Sequence, residues 1–190
     1  MCQPLATHVH NAHAGTRLMG LYFMWKFKLA LISSLFVSGM AYGQSKVYSH
    51  PVEKYTVEYP QDWLLRQKEG VMNIYAPVDG PSDKEYENFG VSVYPASGMT
   101  AEQYYRTYVK DLPSAFSQFE MVSEGDWELT GTKAKWLECR FHDGTRSITN
   151  LICLLVHRDR LFIMVGYSTS RMYPTYKDSF VAMMRSLTLE

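Results

Sequence analysis

The chain has 190 residues with 19 basic and 19 acidic side chains, so its formal net charge is zero. A balanced charge argues against a nucleic-acid binding surface, which needs an excess of Lys and Arg. Hydrophobic residues at 46% and charged residues at 20% are ordinary values for a globular protein. Composition therefore excludes a disordered chain, a collagen-like repeat and a disulfide-dense miniprotein.

The N-terminal part of the chain has the order of a secretory signal peptide: a basic start from Met24, then an apolar run, then small residues. Ala41 and Gly43 fit the −3 and −1 positions of its cleavage site. We expect residues 24–43 to be removed, so that the exported protein starts at Gln44. A retained anchor is the alternative, but the apolar run is shorter than the roughly 20 residues that cross a bilayer.

Residues 1–23 precede this signal. They include His8, His10 and His13, a pattern that could also indicate a metal-binding tract. A signal peptide normally begins within a few residues of its basic region. We therefore interpret residues 1–23 as an over-extended gene start and assign these histidines no function.

Residues 44–190 are predicted to form a single domain. In its first half, strand patterns cover three segments, residues 55–59, 71–76 and 89–94. Thr100 and Gln103 have the capping-box spacing of a helix start. A helix is therefore predicted over residues 101–112, ended by Pro113.

The second half of the domain has the pattern of a run of strands and a final helix. The strand patterns cover residues 127–130, 134–141, 147–157 and 161–168. Asp143 and Gly144 favour a type I′ hairpin turn, because both central residues of that turn need positive φ. Continuous apolar runs in the last two strands predict central strands, covered on both faces. Pro174 suits the first turn of a helix whose apolar stripe comprises Tyr176, Phe180, Met183, Met184 and Leu187.

The same hairpin decides the state of the two cysteines of the exported chain. With Asp143 and Gly144 at the turn, Cys139 stands opposite Ile148, and Cys153 lies further along that strand. The separation is about 17 Å, whereas a disulfide needs Cα atoms within about 7 Å. We therefore expect both cysteines to be unpaired core residues.

Two segments resemble a known family. Residues 55–63, Tyr-Thr-Val-Glu-Tyr-Pro-Gln-Asp-Trp, resemble the opening strand of the PsbP/Mog1-like superfamily, and a final helix ending Arg-Ser-Leu-Thr at residues 185–188 is similar to its close. The resemblance covers residues 55–190. It implies an α+β fold in which an antiparallel β-sheet is covered by helices on both faces, an α/β/α sandwich. Exported bacterial DcrB-like and LpqN-like proteins are the most similar members in type, and the superfamily mostly binds other macromolecules.

Motifs for catalysis or metal binding are weak in this sequence. Ser168-Thr-Ser170 lacks the Gly-x-Ser-x-Gly elbow of a serine nucleophile, so turn chemistry is the better interpretation. His157-Arg-Asp159 copies three letters of the kinase catalytic loop but is predicted to be a hairpin turn. The histidines of the mature chain are widely spaced, so we assign neither a metal nor a cofactor.

Aromatic residues are the remaining candidates for binding. The set that could line a groove for a peptide or glycan comprises Trp63, Tyr75, Tyr94, Trp127 and Trp136. The edge of a core is the favoured interpretation for most of them. Tyr86 in the charged loop, with Tyr104 and Tyr105 on the first helix, could form the rim of such a groove. These three tyrosines are our candidate ligand-binding residues.

Two functions remain open on the sequence. The favoured one is a non-catalytic exported module of the cell envelope that binds an envelope protein or a small ligand, with no nucleic-acid partner and no membrane span after cleavage. The alternative is an enzyme or enzyme subunit whose site is built from separated carboxylates such as Asp62, Asp126 and Asp143. A deep pocket holding two carboxylates with shifted pKa values would favour the alternative.

Overall fold

The computed structural model describes residues 44–68, 71–78 and 87–190. The predicted leader, residues 1–43, and the candidate residue Tyr86 lie outside these ranges. In the described residues the chain forms ten strands and two helices. In chain order they are β1 (Ser45–Ser49), β2 (Tyr55–Pro60), β3 (Leu64–Lys68), β4 (Val71–Tyr75), β5 (Asn88–Pro95), α1 (Ala101–Ala115), β6 (Ser117–Leu129), β7 (Thr132–Asp143), β8 (Arg146–His157), β9 (Arg160–Thr169), α2 (Tyr173–Arg185) and β10 (Thr188–Leu189).

Seven of these strands form one antiparallel sheet in the order β3-β4-β5-β9-β8-β7-β6. The other three form a smaller antiparallel sheet in the order β1-β2-β10. β8 and β9 lie inside the large sheet, and residues 148–155 of β8 are all buried. This confirms that the continuous apolar runs mark central strands. The fold is therefore α+β, dominated by antiparallel sheet.

Successive side chains of β8 enter two different apolar clusters. Leu151 and Cys153 pack in the cluster that contains the buried residues of α2, which we call the α2-side cluster. Ile152 packs in the cluster that contains Tyr105 and Leu112 of α1, the α1-side cluster. Neighbouring side chains of a strand point to opposite faces of the sheet. The two clusters therefore lie on opposite sides of β8.

α2 packs against the large sheet through Phe180. This side chain is fully buried, and its ring lies on the backbone of Gly166 in β9, so that a Cβ built on the glycine would be 2.4 Å from the ring. Trp63 meets the same ring edge to face, with centroids 5.9 Å apart. The helix comes this close to the sheet because residue 166 has no side chain.

α1 begins as the sequence predicts and ends later. The Thr100 hydroxyl accepts from the Gln103 backbone N–H, and the Gln103 side chain accepts from the Thr100 N–H, so the capping box is complete. The predicted end at Pro113 is wrong, because the helix continues to Ala115. In the last turn a proline costs a single N–H donor, and the Phe116 N–H still closes the turn on the Leu112 carbonyl.

The hairpin between β7 and β8 has a different register from the predicted one. Asp143 pairs with Arg146, so the turn residues are Gly144 and Thr145. Gly144 has a φ of +61°, and Thr145 is not among the residues with positive φ. A type I′ turn needs positive φ at both positions, whereas a type II′ turn needs it at the first, where glycine is favoured. The predicted pairing was therefore shifted by two residues.

The cysteines remain unpaired in this shifted register. Cys139 stands opposite Asn150, and Cys153 lies three residues further along β8, about 10 Å away. Both thiols are free and buried, as predicted. Burial raises the pKa of Cys139 to about 11 and that of Cys153 to about 12. Both cysteines behave as small core residues.

The short strands at the edges of both sheets were missed in the sequence. β1, β3 and β10 have at most five residues each, too few to show a period of two against their polar neighbours. Residues 117–126 of β6 were also missed, since the predicted strand began at Trp127. Within the described part of the chain, neither helix combines the length and apolar character of a membrane span.

Candidate functional site

A groove of about 560 Å³ lies where the first turn of α1 meets the hairpin of β6 and β7. Three carboxylates line it, from Glu102 on α1 and from Asp126 and Glu128 on β6. Two lysines from β7, Lys133 and Lys135, lie on the same side of the hairpin. We call this feature the acidic groove.

The local sequence explains why these charges meet. The capping box fixes Glu102 in the first turn of α1, where an acidic side chain is also favoured by the helix dipole. Asp126 and Glu128 are two residues apart on β6, so they share one face of the strand. The β-ladder places Lys135 opposite Asp126 and Lys133 opposite Glu128. One helix end and two strands thus deliver alternating charges to one surface.

Lys135 bridges α1 and β6 at the base of the groove. Its Nζ lies 2.8 Å from Glu102 Oε2 and 2.8 Å from Asp126 Oδ1. The hydrogen bonds of Lys135, the larger effect from Asp126 and the smaller from Glu102, raise the pKa of Lys135. The hydrogen bonds that Glu102 accepts, the larger effect from Lys135 and the smaller from Arg106, lower the pKa of Glu102. Both shifts favour the charged forms of Lys135 and Glu102.

The candidate Tyr105 lies under this ion cluster. Lys135 Nζ stands 5.5 Å from the centroid of its ring, a cation–π contact. The Tyr105 hydroxyl donates to the carboxylate of Glu124. Burial, followed by the hydrogen bond to Glu124, raises the pKa of Tyr105. Tyr105 therefore contacts Lys135 of the groove and also Glu124, which lies outside the groove lining.

The candidate Tyr104 is held away from this groove. Its hydroxyl donates to the carbonyls of Ala96 and Pro95, at 3.0 and 3.3 Å, and so ties α1 to the end of β5. Tyr86 lies outside the described residues. Of the three candidate tyrosines, the structure places one, Tyr105, beside the groove. The ligand-binding role of all three remains a prediction.

Trp127 and Trp136 form a stacked pair next to the groove, on the α2 side of the hairpin. Their ring centroids are 5.4 Å apart with the planes at 25°. The guanidinium of Arg185 from α2 lies 5.0 Å from the centroid of Trp127. Trp136 also covers Gly125, because a Cβ there would be 2.9 Å from the indole nitrogen. The two stacked indole rings cover this face of the hairpin.

Solved structures match this fold, whereas no family model and no curated protein matches the sequence. PA94 from Pseudomonas aeruginosa, a protein of unknown function, is 17% identical with a TM-score of 0.58, over 78% of this chain and 99% of that one. CyanoP, the cyanobacterial PsbP of Synechocystis sp. PCC 6803, is 20% identical with a TM-score of 0.56, over 80% and 96%.

LpqN of Mycobacterium tuberculosis, described as involved in cell envelope biogenesis, is 12% identical with a TM-score of 0.55, over 76% of this chain and 90% of that one. The agreement with CyanoP and LpqN decides the fold type. The chain has a PsbP/Mog1-like fold. The resemblance seen in the sequence is thereby confirmed.

The PsbP/Mog1-like fold of this chain keeps its three predicted carboxylates apart. Asp126 lies in the acidic groove, where its partner Lys135 belongs to β7. Asp143 ends β7 and pairs with Arg146, about 27 Å along the strand from Lys135. Asp62 lies in the turn between β2 and β3. The structure instead groups Asp126 with Glu102 on α1 and Glu128 on β6. Neither of these two residues was a candidate in the sequence analysis.

The serine cluster of this PsbP/Mog1-like domain is bonded internally. Ser168 and Thr169 direct their hydroxyls at the buried carboxylate of Glu87, at 3.4 and 3.2 Å. The Ser170 hydroxyl is 2.8 Å from those of Ser147 and Thr149. These bonds link the ends of β5, β8 and β9, so the hydroxyls serve the fold. Within the described ranges, no three His, Cys, Asp or Glu side chains are placed to hold a metal ion.

Proposed function

We propose that this protein is an exported, non-catalytic binding module of the cell envelope and that it binds its partner through the acidic groove. The observation that carries the proposal is the groove itself, an open surface of about 560 Å³ on rigid elements with charged side chains held in fixed positions. Sites built on helices and strands hold their groups more firmly than sites on loops.

The chemistry of the groove favours a cationic partner. Glu102 and Asp126 are already paired with Lys135. In the described part of the chain, Glu128 makes no ion pair, and Glu124 accepts a hydrogen bond from a neutral phenol. Glu128 in the groove and Glu124, which shares its face of β6, are therefore open to a positively charged ligand, while Glu102 and Asp126 remain paired with Lys135.

The export part of the proposal rests on the sequence of residues 24–43, which has the order of a signal peptide. LpqN, which has the same fold type, is described as involved in cell envelope biogenesis. We also infer that α1 and α2 cover opposite faces of the large sheet, as in an α/β/α sandwich. Their buried residues pack in the two clusters that alternate along β8.

The alternative of an enzyme built from Asp62, Asp126 and Asp143 gains no support from their positions. One lies in a turn, one in the groove and one at the opposite end of β7. Two carboxylates that share work on one substrate stand within about 10 Å of each other. A binding function needs no such convergence.

Site-specific photocrosslinking in the native envelope tests the proposal. A photoreactive amino acid replaces Lys133 at the rim of the groove, and in a matched variant it replaces the exposed Asp178 on α2. We expect a discrete crosslinked partner from position 133 that is absent from position 178. Equal products from both positions, or none from either, would contradict a binding role for the groove.

Intact mass of the exported protein tests the processing step. We expect a mass that corresponds to residues 44–190, because charge, apolar length and small residues all place cleavage before Gln44. A species that retains the apolar run would show an anchored protein and would contradict the proposal of a released module.

A further inference from the structure

β6 forms an open edge of the large sheet. Within the described part of the chain its neighbour is β7, on one side. On the other side, the backbone N–H and C=O groups of Ser117–Leu129 have no backbone partner among the described residues. Unpaired groups on an edge strand are a template for another strand.

The two halves of this edge differ in regularity. The ladder with β7 has shifts between Ser117 and Glu120 and again between Met121 and Ser123. From Ser123 to Leu129 the pairing is continuous, with one residue opposite each partner. Bulges twist a strand and hinder further pairing, so the open part of the edge is the segment 123–129, which we call the free edge.

The side chains of the free edge determine which partner strand would fit it. Glu124, Asp126 and Glu128 share the face of the sheet that carries the acidic groove. An added strand would place a side chain about 4.5–5.5 Å, Cβ to Cβ, from each of them. Opposite charges favour such pairs. The matching strand therefore has Lys or Arg at alternate positions.

The opposite face of the free edge determines which residues fit at the remaining, alternate positions of the partner strand. There Gly125 lies beneath the Trp136 ring, and Trp127 stacks on that ring. A side chain added on this face meets aromatic carbon, so an apolar residue fits best. The expected pattern alternates basic with apolar residues.

A second copy of this chain does not fit the free edge. In a symmetric antiparallel pair centred on Asp126, that carboxylate would face its own copy, and Glu124 would face Glu128 of the other chain. Like charges directly opposite each other are destabilising. The acidic row formed by Glu124, Asp126 and Glu128 therefore disfavours self-pairing and favours a partner of opposite charge.

We propose that the free edge of β6 accepts an extended segment of a partner protein with alternating basic and apolar residues, which adds to the large sheet as an eighth strand. This inference rests on the proposed function, because the basic side chains would occupy the rim of the acidic groove. It adds a recognition mode, in which main-chain hydrogen bonds supply affinity and alternate side chains supply specificity.

Fluorescence anisotropy with designed peptides tests this mode. The probe is a labelled nonapeptide of alternating lysine and valine, and the control has the same composition with its lysines in one block. We expect the exported protein to bind the alternating peptide at least about tenfold more tightly, because the block peptide cannot present its charges on one face of a strand. Equal affinities would overturn the proposal.

Backbone methylation separates strand addition from simple charge attraction. In an added strand, all residues whose side chains lie on one face point their N–H groups to the same edge. With the lysines over the acidic row, either the lysine amides or the valine amides face β6, depending on strand direction. We expect N-methylation of one set to abolish binding and N-methylation of the other set to change it by less than about threefold. Binding that survives both modifications would sink the proposal.

Charge variants locate the peptide on the protein. The double substitution Glu124→Gln with Glu128→Gln should weaken the alternating peptide by about three- to tenfold, since two cross-strand ion pairs are lost. Asp178→Asn on the exposed face of α2 serves as the matched control and should leave affinity unchanged. Equal losses in both variants would place the peptide elsewhere.

The peptide and crosslinking experiments fail independently. A crosslink at position 133 without selective binding of the alternating peptide would refute strand addition and leave the groove as the binding surface. A lack of crosslink at position 133, with no peptide bound, would refute both proposals. Dimerisation of the exported protein in which Asp126→Cys of one copy forms a disulfide with the same residue of a second copy would show self-pairing at β6 and would also overturn the inference.

Discussion

Two regions of the molecule, the contact of α2 with the large sheet and the acidic groove, are built on different principles. On the α2 side, Phe180 fills the space over Gly166 and meets Trp63, and the surrounding side chains are apolar and buried. On the α1 side, the hairpin end of the sheet carries Lys135 between two carboxylates, and both carboxylates remain substantially exposed. Close packing dominates the first region, and solvated ion pairs dominate the second.

This difference separates the residues that stabilise the fold from those of the proposed binding surface. Burial of large aromatic side chains contributes several kcal/mol at each site, whereas exposed ion pairs contribute about 0–1 kcal/mol. The α2 side can therefore carry the fold while the groove side keeps its polar groups available to a partner. Changes on the two sides should consequently differ in their effect on the free energy of unfolding.

The largest expected effect is at Phe180. Replacement by Ala removes a fully buried ring between α2 and β9 and should lower the free energy of unfolding by about 3–5 kcal/mol. Urea denaturation of the protein measures this loss. The matched change on the other helix is Arg106→Glu, at a side chain that is 77% exposed, with an expected effect within about 0.5 kcal/mol. Comparable losses at the two positions would refute the division of roles.

A smaller effect is expected at Gly166, where the helix and the sheet meet. Gly166→Ala places a methyl group 2.4 Å from the Phe180 ring, and overpacking of this kind costs about 1–3 kcal/mol. If that clash is the cause, Phe180→Leu should relieve part of it. A double-mutant cycle of the two changes should give a coupling free energy of at least about 0.5 kcal/mol. Strict additivity would show that Gly166 is required for another reason.

The comparison also explains what the sequence could predict. The buried elements carry their signal in residue order: the apolar runs of β8 and β9, and the stripe of α2 that includes Phe180. Thr100 and Gln103 likewise determine a local cap, and the start of α1 was predicted correctly. These features depend on neighbours in the chain, so one sequence suffices to find them.

The acidic groove depends on neighbours in space and was not found. Glu102 and Asp126 are brought together by the packing of α1 on β6 and β7 and by the lysine between them. The register of the β7–β8 hairpin could not be predicted from the hydrophobic pattern either, because Asp143-Gly144 and Gly144-Thr145 are both acceptable turn pairs. An error of two residues there keeps every side chain on its correct face, so the apolar pattern could not reveal it.

A stabilising change is expected at the groove hairpin. Thr130 and Gly131 form the turn between β6 and β7, with φ of +52° and +71°. A β-branched residue is unfavourable at positive φ, whereas Asn-Gly is the preferred pair for a type I′ turn. Thr130→Asn should therefore raise the free energy of unfolding by about 0.5–1 kcal/mol, measured by urea denaturation. A loss of stability would show that the Thr130 hydroxyl, which donates to the Leu129 carbonyl, matters more than the backbone strain.

The smallest effect is expected from the pH dependence of the groove. Hydrogen bonds from Lys135 and Arg106 lower the pKa of Glu102 below its ordinary value of 4.5. The unfolded chain therefore takes up a proton at this residue before the folded chain does, so the contribution is present above pH 4.5 and is lost as the pH falls through the folded-state pKa. The free energy of unfolding of Glu102→Gln should thus fall less steeply than that of the parent protein below pH 4.5, whereas Asp178→Asn, an exposed carboxylate on α2, tests for a general effect of removing one charge. Parallel curves for the parent and Glu102→Gln would mean that the ion pairs of Glu102 with Lys135 and Arg106 do not stabilise the fold, in contrast to the packing of Phe180.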